Sequence, residues 1–196
     1  MNKNCRKMDL ERYTNNAKET MVEAMESARA LGHQTITTTH VMKAILLNNK
    51  KRFMKLIELA GGDFFPVLQE VDKLLISLPR VEGHQNLFID SKLAEAIKSA
   101  ETFADKLGDK FIGSESLFLG IASGNSELAK KLASEMKNFN QLEDIVLADR
   151  KGNKIESQAH QEGENILDDY TVNLTEQALE GHIDPIIGRD EEIRRT

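Results

Sequence analysis

An all-α fold, a pseudo-twofold domain made by duplicating one four-helix unit, is predicted by three observations. The chain repeats itself at an offset of 76 residues, both copies space their apolar residues at helical intervals, and period-two alternation is almost absent. The stretch AMESARALGHQTITTTHVMKAIL from Ala24 aligns with AETFADKLGDKFIGSESLFLGIA from Ala100. Leu31-Gly32 matches Leu107-Gly108, Ile36 matches Ile112, Thr38 matches Ser114 and Ile45 matches Ile121. Upstream, Ala17, Met21, Ala24, Ala28 and Leu31 align with Leu93, Ile97, Ala100, Ala104 and Leu107. Both sets step by four, three, four and three, which is one face of an α-helix.

In the first unit a long helix is expected from near Leu10 to Leu31, stopped by Gly32 in the left-handed conformation. Thr37 or Thr38 caps a second helix through His40, Val41, Ala44 and Ile45. A third, around 52–60, ends at Gly61-Gly62. Asp63 caps a fourth, from Phe64 to Leu78, and Pro79 ends it. The second unit repeats the plan. A helix begins at Asp90 or Ser91 and ends at Gly108, and Ser114 caps the next. Gly124-Asn125 breaks that helix, residues 126–136 form a third, and Asn140-Gln-Leu-Glu143 reads as a capping box for a fourth.

Six segments follow. Residues 1–9 are an N-terminal extension, 10–78 the first repeat, 79–89 a short inter-repeat linker and 90–150 the second repeat. The linker is short enough for the two units to pack as one globule. Residues 151–165 are strongly polar, with Ile155 the one strongly apolar side chain, and predict a flexible linker. Order is expected to return in 166–196, where Leu174, Ala178 and Leu179 suit a short helix before the closing HIDPIIGRDEEIRRT.

Composition narrows function. Of 196 residues, 40% are hydrophobic and 30% charged, with three prolines and no tryptophan, as in ordinary globular proteins. A net charge of −6 argues against nucleic acid, whose phosphates are met by Lys and Arg. The single Cys5 excludes an intramolecular disulfide and points to a reducing compartment. Signal-peptide patterning and a membrane-length apolar run are both missing, so a cytoplasmic protein without a membrane partner is expected.

Phosphate-loop, dinucleotide, zinc-protease and Cys-x-x-Cys motifs are absent, and the five histidines lack ligand spacing, so neither a catalytic residue nor a metal site is expected. His40, in the first turn of a helix, suits capping or packing. Lys43, Lys50, Lys51, Arg52 and Lys55 read as a solvated basic face. Phe64, Phe65, Phe111, Leu117 and Phe118 read mostly as core, with some available to line a groove between the repeats. Asp109 follows a helix-ending glycine, and Glu115 opens the next helix beside its positive dipole end. The intervening KFIGS loop is expected to turn both carboxylates toward one region. Two readings are open from spacing alone: a solvated loop acid plus a dipole partner, or a paired site. The first repeat has His33 and Thr39 at these positions, so the acids are particular to the second.

The doubled unit with DKFIGSESLFLGIA, the segment SLPRVEG and the ending IDPIIGRDEEIRRT closely resembles the amino-terminal part of the Clp AAA+ chaperones, and among them the ClpB-type disaggregases. The resemblance runs from about Met8 to the end of the sequence. It implies a substrate-binding head, a linker and the entrance to a first ATPase module. It also implies that Thr14, Asp109 and Glu115 handle aggregated or unfolded proteins, by recognition rather than catalysis. Ile186, Ile187, Gly188 and Arg189 match the segment that lies against adenine. The phosphate-binding loop would follow beyond Thr196, so this stretch is expected to bind no cofactor and hydrolyse no ATP, with ATP and Mg belonging to a full-length parent. That parent is expected to form a hexameric ring and to cooperate with an Hsp70-type chaperone. The alternative is the adaptor-docking head of a ClpC- or ClpA-like unfoldase that feeds a protease. One departure is Ser116, where an apolar residue or His is more usual in the family.

Overall fold

Helix formation follows the caps. The computed structural model describes residues 10–81 and 87–159. The chain divides into two units, Met1–Gly163 and Glu164–Thr196, and every described residue lies in the first. Cys5, and the tail carrying Ile186, Ile187, Gly188 and Arg189, lie outside the described residues.

Among the described residues there are eight α-helices: α1 Asn15–Ala30, α2 Thr38–Asn48, α3 Lys50–Leu59, α4 Phe64–Ser77, α5 Ser91–Leu107, α6 Ser114–Ala122, α7 Glu127–Glu135 and α8 Leu142–Arg150. They fall into two sets of four, in register with the sequence repeat. Gly32 and Gly108 both take positive φ, 73° and 74°, as the two matched Leu-Gly stops require. Asp63, Asp90 and Ser126 each accept a hydrogen bond from the first turn of the helix they precede.

Four local expectations are corrected. The first helix starts at Asn15 rather than near Leu10, because Leu10–Arg12 form a 3-10 turn and Thr14 is the extended cap, accepting from the Ala17 amide at 3.1 Å. α6 is preceded by Gly113 as its cap, and Ser114 is its first helical residue. Ser114 Oγ instead accepts from Asn49 Nδ2 at 3.3 Å. The capping box at Asn140–Glu143 does not form: Phe139–Gln141 make a 3-10 turn that runs straight into α8. Finally, 151–159 do not behave as a free linker. Ile155 is buried, its carbonyl accepts from the Lys110 amide at 2.9 Å, and the Gln158 carbonyl accepts from the Asn15 amide at 2.7 Å. One apolar side chain and backbone pairing are enough to hold a segment whose composition alone predicts disorder.

Two short strands, β1 Thr35–Ile36 and β2 Phe88–Ile89, pair in parallel with Ile36 opposite Ile89. Tyr13 forms the corresponding parallel bridge with Ile112. Tyr13 and Ile89, and Ile36 and Ile112, are themselves repeat equivalents. Each repeat's entry segment therefore pairs with the other repeat's loop. The Thr14 amide donates to the Ile112 carbonyl at 3.1 Å, and the equivalent Asp90 amide donates to the Ile36 carbonyl at 3.0 Å.

The core is one contiguous apolar cluster drawn from both repeats. Helix α6 is buried on every side, as its sequence SESLFLGIA, apolar after its first turn, demands. It lies so close to α5 that a Cβ on Gly120 would sit 2.3 Å from the Ala96 carbonyl oxygen and 2.8 Å from the Ala100 amide nitrogen. Only a residue without a side chain permits this approach. Gly120→Ala is expected to destabilise the domain by roughly 1–3 kcal/mol through overpacking, measured as a lower urea midpoint with unchanged m-value. An unchanged midpoint would show that the two helices separate freely.

Candidate functional site

The loop from Asp109 to Glu115 does turn both carboxylates toward one place, and two arginines meet them there. Arg150, the last residue of α8, donates from Nη1 to both Asp109 oxygens at 2.9 and 2.8 Å and from Nε to Glu115 Oε2. Arg52 of α3 donates from Nε to Glu115 Oε1 and from Nη1 to Asp149 Oδ2. Lys55 completes the cluster at 2.7 Å from Asp149 Oδ1. Three carboxylates thus face three cations, drawn from α3, α6, α8 and the loop before α6.

Neither acid is solvated. Asp109 is 6% exposed and Glu115 2%. Reading Asp109 as a solvated loop acid is therefore corrected: it also accepts the Ile155 amide at 2.7 Å, so its oxygens are held by protein donors. Arg52 likewise leaves the predicted solvated basic face, because only about a tenth of its side chain is exposed. Charges this deep are tolerated because each is paired and hydrogen-bonded. The guanidinium of Arg150 loses solvation by burial, but the adjoining Glu115 and Asp109 outweigh this and raise its pKa above the ordinary value. Burial also opposes the charge on Asp149. Hydrogen bonds from Lys55 and Arg52 prevail and hold that carboxyl below its usual range.

Thr14 joins the site through the backbone. It is fully buried, caps α1, and its amide ties α1 to Ile112 in the middle of the 109–115 loop. The three expected residues are therefore brought to one junction, none of them presenting a free polar group to solvent. Arg52, Arg150, Asp149 and Ile155 were missed as site residues in the sequence. The acid-basic alternation in α8 could have suggested Arg150, but nothing local points Arg52 at Glu115, 63 residues away.

The equivalent place in the first repeat holds a neutral pair. His33 and His40 are both buried, with His33 Nδ1 2.9 Å from His40 Nε2. His40 Nδ1 accepts from the Thr37 amide at 3.1 Å, which gives His40 its expected capping role. Ser116, the counterpart of His40, is fully buried and its hydroxyl has no hydrogen-bond partner among the described residues. Of the phenylalanines, Phe64 and Phe118 are core, but Phe65 is 56% exposed beside Lys50, whose Nζ lies 5.5 Å from its ring centroid. Among the described residues no group of three or more His, Cys, Asp and Glu is arranged to hold a metal, and no helix is long and apolar enough to cross a membrane.

Two predictions follow from these charges. Arg150→Met strands Asp109 and Glu115 without their shared partner and should lower stability by about 3–5 kcal/mol, whereas Lys55→Met, at an exposed cation, should cost under about 1 kcal/mol. Paired denaturation curves compare them, and equal losses would deny the buried cluster its special cost. Burial, reinforced by the neighbouring His33, pushes His40 from 6.5 down to about 4, and His33 is lowered by burial and by Arg80. The unfolded chain then binds more protons between those values, so stability is full above pH 6.5 and falls as pH drops toward 4. The loss from His40 should be on the order of 2–3 kcal/mol, and a His40→Gln variant should flatten that part of the stability–pH curve.

Residues 12–136 match the family model described as the Clp repeat (R) N-terminal domain. A chaperone protein ClpB of Rhizobium meliloti is 34% identical over 191 residues, a match covering 96% of this chain but 22% of that protein. The chain thus spans about a fifth of the length of the curated relatives it matches. The crystal structure of the Hsp104 N-terminal domain from Candida albicans superposes with a TM-score of 0.65 at 14% identity, covering 74% of this chain and 96% of that one. A ClpV N-domain in complex with a VipB peptide superposes at 0.56 and 16% identity, covering 71% and 89%. With the doubled four-helix unit and its reciprocal backbone pairing in place, the chain belongs to the Clp repeat N-terminal domain family and corresponds to the amino-terminal region of ClpB-type chaperones.

Proposed function

We propose that this domain is the substrate-binding head of an ATP-dependent, ClpB-like chaperone that disaggregates and refolds stress-denatured proteins. Thr14, Asp109 and Glu115 form its recognition site. The observation that carries the reading is the company these acids keep: Asp109 and Glu115 hold two guanidinium groups, Arg52 and Arg150. The same chemistry suits Lys and Arg side chains on exposed segments of misfolded proteins, since bidentate carboxylate–guanidinium pairs are directional as well as strong. Thr14 acts at one remove, by fixing the start of α1 against the loop between the two acids. Exposed apolar side chains such as Phe65 and Leu59 offer area for the hydrophobic residues of the same clients.

Single contacts of this kind are weak, and presenting several heads together multiplies them. This fits a parent that assembles as a hexameric ring, uses ATP and Mg in its ATPase modules and cooperates with an Hsp70-type chaperone. Ile186, Ile187, Gly188 and Arg189 would contribute the adenine side of the first such module. The head itself performs no catalysis and works in the cytoplasm.

A second reading has one observation in its favour. The ClpV N-domain, which shares this fold, is described bound to a single defined peptide. By analogy this head would dock one adaptor, as in a ClpC- or ClpA-like unfoldase that feeds a protease. Binding to a permanently unfolded protein, reduced carboxymethylated lactalbumin, separates the two. Asp109→Asn with Glu115→Gln should weaken that binding by roughly tenfold, the loss of about 1.4 kcal/mol; the variant leaves Arg52 and Arg150 without their carboxylates, so affinity is compared at a temperature where circular dichroism shows it folded. Unaltered affinity in the folded double variant would sink the recognition site. Saturable, tight binding to one folded partner alone would favour the adaptor reading.

A further inference from the structure

The carboxylates proposed to receive a client's cation are already occupied from within the chain, and the occupant is joined to a short segment with few anchors. Arg150 closes α8, and the chain then turns through two consecutive left-handed residues, Lys151 at φ 50° and Gly152 at φ 85°. A Cβ on Gly152 would meet nothing within 4 Å, so this pivot stands clear of the domain. The following residues double back over the site. Ile155 is the buried apolar anchor, yet it stands outside the contiguous core cluster. Its amide donates to Asp109 Oδ1, the same oxygen that accepts from Arg150 Nη1.

Farther along, Gln158 grips the start of α1 and the 3-10 turn before it at three points. Its carbonyl accepts from the Asn15 amide at 2.7 Å, its Oε1 accepts from Lys18 Nζ at 3.0 Å, and its Nε2 donates to the Glu11 carbonyl at 2.5 Å. The segment therefore touches Asp109 directly and reaches the helix that Thr14 caps, so it contacts the site from both ends. Apart from Gly152 and the exposed Ala159 its remaining side chains are polar and mostly exposed, with the Lys154 stem lying over Gly108. Held by one apolar residue and a few hydrogen bonds, it belongs to the low-stability end of the structure, where local opening precedes global unfolding.

We infer that residues 151–159 are a releasable, autoinhibitory strap: with Arg150 they occupy the Asp109–Glu115 site in cis, and a client's Lys or Arg reaches those carboxylates when the strap lifts. This rests on the recognition site proposed above. Lifting the strap removes the Ile155 donor from Asp109 and the chain that doubles back over the site, leaving Arg150 held by its bonds to Asp109 and Glu115 alone, where a client's cation can compete with it. A client cation replaces Arg150 without leaving a buried carboxylate unpaired, so the exchange conserves charge. Binding to a site whose open form is a minor population is weakened by that population, and any change that favours the open form strengthens it.

The test uses the full 196-residue chain and two short, unstructured, fluorescent peptides, one of alternating leucine and arginine and one with glutamine in place of arginine. Ile155→Ser and Gln158→Ala release the strap without altering a charge. Both should bind the arginine peptide more tightly, by roughly tenfold for Ile155→Ser, with the glutamine peptide unaffected and faster hydrogen exchange at the Asn15 and Lys110 amides. Faster exchange with unchanged arginine-peptide affinity would overturn the strap. Should Ile155→Ser lose its helical signal, Gln158→Ala decides alone, and unchanged affinity there overturns it equally. The recognition site is tested separately: if Asp109→Asn with Glu115→Gln leaves arginine-peptide binding intact, that reading fails. If this variant weakens binding while the strap variants do not strengthen it, only the strap fails.

Discussion

Neither repeat completes its own entrance. The residue before each first helix, Thr14 in one copy and Asp90 in the other, donates its amide to the loop of the opposite copy, at Ile112 and Ile36. The parallel pairings of Tyr13 with Ile112 and of β2 with β1 extend the same exchange. An isolated repeat would leave the carbonyl of Ile36 or Ile112 unpaired beside a buried isoleucine side chain, an arrangement proteins avoid. The two four-helix units are therefore obliged to form together, and the loop from Asp109 to Glu115 takes its position from the first repeat as much as from its own.

That position explains why so much charge is gathered below the surface. The loop delivers two carboxylates to a junction where α3 and α8 each supply an arginine, and Asp149 and Lys55 extend the pairing outward. A buried ion pair gains little over an apolar substitute, since desolvation offsets most of the attraction. In the first repeat the corresponding place carries His33 and His40, which bond one another and the helix start without a carboxylate, leaving His33 Nε2 without a hydrogen-bond partner among the described residues.

Much of this was legible beforehand, for identifiable reasons. The four-three-four-three spacing in α1 and α5, the glycines at 32 and 108, the cap at Asp63 and the helix starts at Asp90 and Ser126 are local signals, each acting over one turn of helix. The meeting of Asp109 with Glu115 was also readable, because a five-residue loop between a helix stop and a helix start has few ways to run. What escaped was long-range. Arg52 reaches Glu115 across 63 residues and Gln158 reaches Lys18 across 140, distances at which no periodic pattern carries information. The order of 151–159 is invisible to composition, which measures how much a segment can bury on its own, not what a single isoleucine gains from a site prepared elsewhere. Ser114 is of a type that suits a cap, yet Asn49 of the other repeat donates to its hydroxyl.

The reciprocal pairing at the heart of the domain is written in main-chain atoms. Amides and carbonyls are the same in every residue but proline, so the contacts that align the two halves make almost no demand on side-chain identity. Equivalent positions of the two copies are therefore free to differ, as His40 and Ser116 do. The same indifference extends across lineages: a fungal domain shares this architecture at 14% identity. A fold aligned in this way keeps its shape while its surfaces and buried polar groups are rewritten.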